Sequence, residues 1–235
     1  MAGLTVEHKR FGEMPYAILT REGGGTRPYV IVQHGYTGSL DTEIPYGRRF
    51  AELGYTALVT EADLHGQRAS DEGRARFESD FPRTMGAVVE ASIRSIKGLM
   101  DEIGVEEAGY FGISMGGFIG FRLASEDPRV KVLCPLISHP VSYWADRTGD
   151  PERIRAMDPS LHPERLAHCA VLIQNGLADE VVPIDEARKL FQKLSLLLPP
   201  DRCRMIEYPG VGHEVPEAMV ESSLRWMQKH LPTKA

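Results

Sequence analysis

From residue 29 onward the chain alternates short apolar runs with amphipathic helical stretches, and that alternation admits few folds. Tyr29-Val30-Ile31-Val32-Gln33 is rich in β-branched residues and too short for a buried helix, so it reads as a buried strand. Residues 55–60, 108–112, 130–137, 170–174 and 204–208 read the same way. Between them, residues 44–53, 85–103, 115–124, 184–196 and 216–231 read as helices. In the second of these, Met85, Val88, Val89, Ile93, Ile96, Leu99 and Met100 recur at i, i+3, i+4 spacing and form one apolar stripe. Strands that are apolar throughout and separated by helices predict an α/β fold, a mostly parallel sheet with helices on both faces. A chain of 235 residues fits one such domain, taken as 1–235. Gly23-Gly24-Gly25 lacks the Gly-Lys-Ser/Thr of a phosphate loop and reads as a turn between two early strands.

Ligands of such sheets gather at the carboxyl ends of the strands, so chemistry is sought in the residues just after each one. Gly112-Ile113-Ser114-Met115-Gly116 joins a strand directly to a helix and matches G-x-S-x-G. A sharp turn there exposes a serine hydroxyl at the helix N-terminus, where developing negative charge is favoured. A serine in this place also makes a good N-cap, so the motif needs partners. His34-Gly35-Tyr36-Thr37-Gly38 follows the strand Tyr29–Gln33. The backbone N–H groups of Tyr36 and Met115 are the expected oxyanion donors, with His34 orienting the loop.

The general base must be a histidine, and eight are available. His213 lies in the glycine-rich loop before the last helix. His65 follows a strand and is its rival, and His139 reads as pocket wall. His8 and His230 lie near the ends of the sequence, and His162 and His168 lie in a polar stretch with no strand before them. Asp179, in the turn after the strand at 170–174, is the expected orienting acid, with Glu180 and Asp185 as neighbours that compete for the role. The order Ser114, Asp179, His213 along the chain is that of α/β-hydrolases.

These stretches, with Asp63-Leu64-His65-Gly66-Gln67-Arg68, Gly176-Leu177-Ala178-Asp179-Glu180-Val181-Val182-Pro183 and Gly212-His213, make the chain resemble the α/β-hydrolase superfamily from about residue 29 to 231. Within it, the chain resembles small bacterial esterases related to the prolyl oligopeptidase catalytic domain and to dienelactone hydrolases. The resemblance implies an eight-stranded α/β-hydrolase sheet, a Ser114–Asp179–His213 triad, Tyr36 and Met115 as oxyanion donors, and no cofactor. Two departures stand out. No β-propeller accompanies the hydrolase segment, which weakens a peptidase reading. Dienelactone hydrolases use a cysteine nucleophile where this chain has Ser114.

Residues 139–168 fall where this superfamily places its cap, and the insert is short. His139, Tyr143 and Trp144 within it, with Val182, are expected to line the substrate pocket, with the alternative that Tyr143 and Trp144 simply pin the insert to the core. A small partial lid of this kind favours small or medium carboxylic esters. A thioesterase or amide hydrolase with the same triad is the nearest alternative, since the sheet does not fix the leaving group. A non-catalytic binding protein would be expected to have lost a triad member.

Composition narrows the partners. A net charge of −6 offers no basic face for nucleic acid or an anionic membrane surface. No apolar stretch reaches the roughly 18–20 residues that span a bilayer, and residues 1–10 carry charge rather than a signal-peptide core. Cys134, Cys169 and Cys203 are too few for a disulfide framework and point to a reducing compartment, the cytoplasm. His162, His168 and Cys169 match no common zinc spacing, so no metal is expected. Nothing in the sequence bears on oligomeric state.

Overall fold

The structure, a computed structural model, describes residues 3–22 and 28–233; the Gly23–Gly25 turn lies outside them. The chain opens with strands β1 (Leu4–Phe11), β2 (Met14–Arg21) and β3 (Tyr29–Gln33), then helix α1 (Leu40–Glu52) and β4 (Thr56–Thr60). Helices α2 (Asp71–Ser79) and α3 (Phe81–Glu102) lead into β5 (Ala108–Ile113), α4 (Met115–Glu126) and β6 (Val130–Leu136). After α5 (Pro151–Ala156) come β7 (Ala170–Gly176), α6 (Asp185–Leu194), β8 (Cys203–Tyr208) and α7 (Glu217–His230). The eight strands form one sheet in the order β1-β2-β4-β3-β5-β6-β7-β8. β2 runs antiparallel to both of its neighbours, and every other pairing is parallel.

Successive strand side chains point to opposite faces of the sheet, which divides the core in two. Ile31, Leu58, Tyr110, Leu133 and Ile173 pack under α3, α4 and α6. Val30, Val32, Val59, Phe111 and Leu172 pack under α1 and α7 on the other side. Being covered on both faces explains why these strands are apolar throughout rather than alternating.

The helix starts depart from the sequence expectation for a local reason. α1 begins at Leu40 rather than 44 because its first free N–H groups are satisfied: Ser39 donates to Thr42 Oγ1 at 2.9 Å and Leu40 to Glu61 Oε2 at 2.5 Å. α3 begins at Phe81 rather than 85, where Asp80 accepts the Arg83 N–H at 3.2 Å and Pro82 occupies the first turn. α2 was not foreseen at all, because it buries only Gly73 and Phe77 and so carries almost no apolar periodicity.

Residues 139–168 lie between β6 and β7 and fold over the outer side of α3 and α4. Arg122 of α4, 1% exposed, ties them down: it pairs with Glu126 at 2.7 Å and Glu90 at 3.1 Å and donates to the Ile154 carbonyl at 3.1 Å. Among the described residues no helix is long and apolar enough to cross a membrane.

Candidate active site

At the carboxyl end of β5 the chain reverses into α4 within one residue, Ser114. Its backbone lies at φ 51°, ψ −112°, a left-handed conformation costly for a residue with a side chain. The turn is held from both sides. Ser114 N–H donates to the Leu136 carbonyl at 2.9 Å, and its own carbonyl accepts from Phe118 N–H at 3.1 Å. The glycines of the motif allow backbone to meet backbone: a Cβ at Gly116 would lie 2.3 Å from the Gln33 oxygen, and one at Gly112 would lie 2.4 Å from the Gly116 oxygen.

His213 and Asp179 reach this turn from the loops after β8 and β7. Those loops lie against each other, with Ala178 N–H donating to the Val211 carbonyl at 2.9 Å. His213 Nδ1 lies 2.8 Å from Asp179 Oδ2, and Nε2 lies 3.0 Å from Ser114 Oγ. A carboxylate only accepts, so Nδ1 carries the proton and Nε2 is left to accept from the serine hydroxyl. Asp179 Oδ1 accepts N–H bonds from Val181 at 2.9 Å and Val182 at 2.8 Å, which fixes the carboxylate in place. The structure therefore brings Ser114, His213 and Asp179 together in one hydrogen-bonded line.

The loop after β3 crosses above Ser114, close enough that a Cβ on Gly35 would stand 3.5 Å from that of the serine. His34 sets its orientation. Its Nδ1–H donates to the Gly35 carbonyl at 2.7 Å, while Nε2 accepts the Ala62 N–H at 3.0 Å. In a trans peptide the N–H points opposite to the carbonyl, so tying back the Gly35 oxygen turns the Tyr36 N–H the other way. The Tyr36 ring is braced edge-on by Phe77, Phe81 and His65 at centroid distances of 5.0, 5.2 and 5.5 Å. His65, the rival base, stands behind this loop with Nδ1 on the Asp63 carbonyl at 2.7 Å and does not line the Ser114 cavity.

Burial lowers the pKa of His34 to about 4, against an ordinary value near 6.5. An unfolded chain takes up a proton below pH 6.5 that the native state refuses until about pH 4, so stability falls as pH drops through that window. Thermal melts between pH 7 and 4 are expected to lose about 3 kcal/mol through this residue. The slope should become shallower by one proton in His34→Gln, and an unchanged slope would refute the assignment.

A cavity of about 650 Å³ opens over Ser114 and is lined by Tyr36, Met115, His139, Tyr143, Val182 and His213, among others. Trp144 does not reach it, which corrects the sequence expectation. It is 1% exposed and wedged against Gly86 of α3, where it backs Phe118 and Tyr143 from behind. A large apolar ring gains more by complete burial than by facing a wet cavity. The sequence reading missed Phe118, one turn along α4 from the serine, which packs against His139 at 4.5 Å; the i+4 spacing was the available signal. It also missed Glu43 and Tyr46 of α1 and Ile137 after β6, which line the cavity. Among the described residues no group of three or more His, Cys, Asp or Glu side chains is placed to hold a metal ion, and the three cysteines are free and buried.

The sequence model of the dienelactone hydrolase family matches residues 16–219. Two bacterial proteins align with 97% of this chain over 100% of their own lengths: YitV of Bacillus subtilis, 24% identical, and esterase YjfP of Escherichia coli, 21% identical. Among solved structures, TT1662 of Thermus thermophilus superposes with a TM-score of 0.76 at 19% identity, covering 98% of this chain and 100% of that one. A puromycin-hydrolyzing peptidase of Mycobacterium tuberculosis gives 0.74 at 19% identity, covering 99% of this chain and 40% of that one.

Proposed function

We propose that this chain, which belongs to the dienelactone hydrolase family and is a hydrolase, is a serine carboxylesterase acting on small to medium esters through an acyl-enzyme. The observation that carries the reading is the unbroken line from Asp179 through His213 to the Ser114 hydroxyl, with contacts of 2.8 and 3.0 Å. In the first half of the cycle Ser114 Oγ attacks the ester carbonyl as His213 Nε2 takes its proton, and Asp179 steadies the imidazolium. The carbonyl oxygen becomes negative between the N–H groups of Met115 and Tyr36. Each such donor is worth about 3–4 kcal/mol in the transition state. His213 then hands its proton to the leaving alcohol. In the second half, water activated by the same imidazole releases the acid. His139, Tyr143 and Val182 shape the cavity where the substrate rests.

A fluorophosphonate should label the folded protein, with the adduct mapped by mass spectrometry to the peptide carrying Ser114. Turnover of p-nitrophenyl esters should be best at short to medium acyl chains and fall at the longest. Labelling at another residue would remove Ser114 from the mechanism. Acyl-thioesters turned over as well as the matching oxygen esters would replace the ester assignment with a thioesterase.

A further inference from the structure

The cavity over Ser114 straddles the carboxyl edge of the sheet, and its two sides differ in chemistry. On the side of α3 and α4 the wall is aromatic and apolar: Phe81, Met85, Phe118, Tyr143. On the side of α1 it is made by Thr42, Glu43, Tyr46, Glu214 and Val215. Among the described residues the cavity lining contains the acidic residues Glu43 and Glu214 and no lysine or arginine.

Glu43 is the unusual member. It is 5% exposed, yet its one described hydrogen bond comes from the neighbouring Thr42 hydroxyl, at 3.3 Å on Oε1. Oε2 is buried with no partner at all. A buried carboxyl left half-satisfied costs stability, and such groups are retained where something else completes them. Burial, opposed only by the Thr42 bond, pushes its pKa up to about 7. The charged and titratable groups around this side are Tyr46 and Arg49 on α1 itself, with His213, Glu214 and Glu217 from the loop before α7 and the start of that helix. Arg49 is already engaged by Glu217 at 2.6 Å and by Glu221, so it does not neutralise Glu43.

The position tells which half of the substrate Glu43 meets. His213 Nε2 must protonate the leaving atom, so the leaving group lies on the His213 side of the carbonyl carbon. Glu214 and Val215 continue from His213 along that wall, and Arg49 clamps α1 to the start of α7 beside it. Resting on the esterase reading above, we propose that Glu43 is a specificity residue for the leaving group, selecting esters whose alcohol carries an ammonium or another strong hydrogen-bond donor. Alcohols bearing a carboxylate are selected against, because the lining offers them no counter-charge.

The test uses phenyl acetates that differ only in the para substituent: methyl, aminomethyl or carboxylate. At pH 8.5, above the pKa of about 7, kcat/KM for the aminomethyl ester should exceed that for the methyl ester by about tenfold, the worth of one charge-assisted bond. The carboxylate ester should fall below both. At pH 5.5 Glu43 is protonated and the ratio should shrink. Both esters meet the same protein at the same pH, so any effect of pH common to the two cancels from the ratio. In Glu43→Gln the ratio should approach one at either pH; because it is read within each variant, the folded fraction also cancels. A ratio near one in the original protein, or one that survives in Glu43→Gln, would overturn the proposal while leaving the esterase reading intact. Titration calorimetry with benzylammonium against benzyl alcohol reads the same preference without turnover. If no ester is cleaved but benzylammonium still binds more tightly, and Glu43→Gln abolishes that, the esterase reading fails and the subsite stands. Equal binding of the two probes counts against the subsite.

Discussion

Replacing Ser114 with alanine is expected to lower kcat on p-nitrophenyl acetate by about 10⁵-fold. The size follows from what one oxygen does at this site. On the proposed mechanism it is the atom that bonds to the substrate carbon, and His213 has no other described hydrogen-bond partner on its Nε2 side. On the same mechanism, the part that would survive is the pull of the proposed oxyanion donors on a bound ester, worth roughly 10³-fold over water. Stability should barely move. Alanine has the same Cβ as serine, so the strain at φ 51° is unchanged, and the backbone bonds to Leu136 and Phe118 do not involve the hydroxyl. The paired measurement is kcat against the thermal midpoint: activity lost with the midpoint held within about 2 °C. A variant that keeps a tenth of the original rate would place the nucleophile elsewhere.

Gly116→Ala should do the reverse and strike the fold first. Its added methyl would meet the Gln33 carbonyl at 2.3 Å and the His34 carbonyl at 2.8 Å, both main-chain atoms of the central strand and the loop it feeds. A flexible side chain could move aside, but these cannot without shifting β3 against α4. A loss of about 3 kcal/mol in urea unfolding is expected, at the upper end of what overpacking costs. Gly149→Ala is the control: a Cβ there meets nothing within 4 Å, so its change should stay within about 0.5 kcal/mol. The folded fraction of Gly116→Ala should also turn over more slowly, because the displaced loop carries Tyr36. Equal unfolding midpoints for the two variants would show that the close approach of β3 and α4 has been misjudged.

The fold was legible because burial on both faces imposes its own pattern. β3, β4, β5 and β7 are apolar runs whose limits the sequence marked to within two residues, and α3 carries its stripe openly. Capping was harder to read. Neither the Glu61 carboxylate that closes the start of α1 nor the Asp80 that starts α3 belongs to an apolar period, so both helices were begun too late. At the site, Ser114, Asp179 and His213 could be located because each follows a strand end, and strand ends are where a parallel sheet gathers its loops. The cavity wall obeys no such rule. Trp144 and Tyr143 are adjacent in sequence, yet one is sealed against α3 while the other is exposed by 41% at the cavity, a difference set by the path of the 139–168 segment. Glu43 was invisible because an acidic residue in the first turn of a helix ordinarily needs no explanation beyond the helix dipole.

The division of the cavity between differently anchored walls carries a consequence for how such a molecule can diverge. The Ser114 turn is locked where β5, β3 and α4 meet with no spare space for a Cβ at Gly112 or Gly116, so that centre tolerates little variation. Glu43, Tyr143 and Val182 stand instead on a helix turn and on loops outside the sheet's hydrogen-bond ladder. Selection, or a laboratory library confined to those few positions, can trade one clientele of esters for another while the chemical step stays untouched.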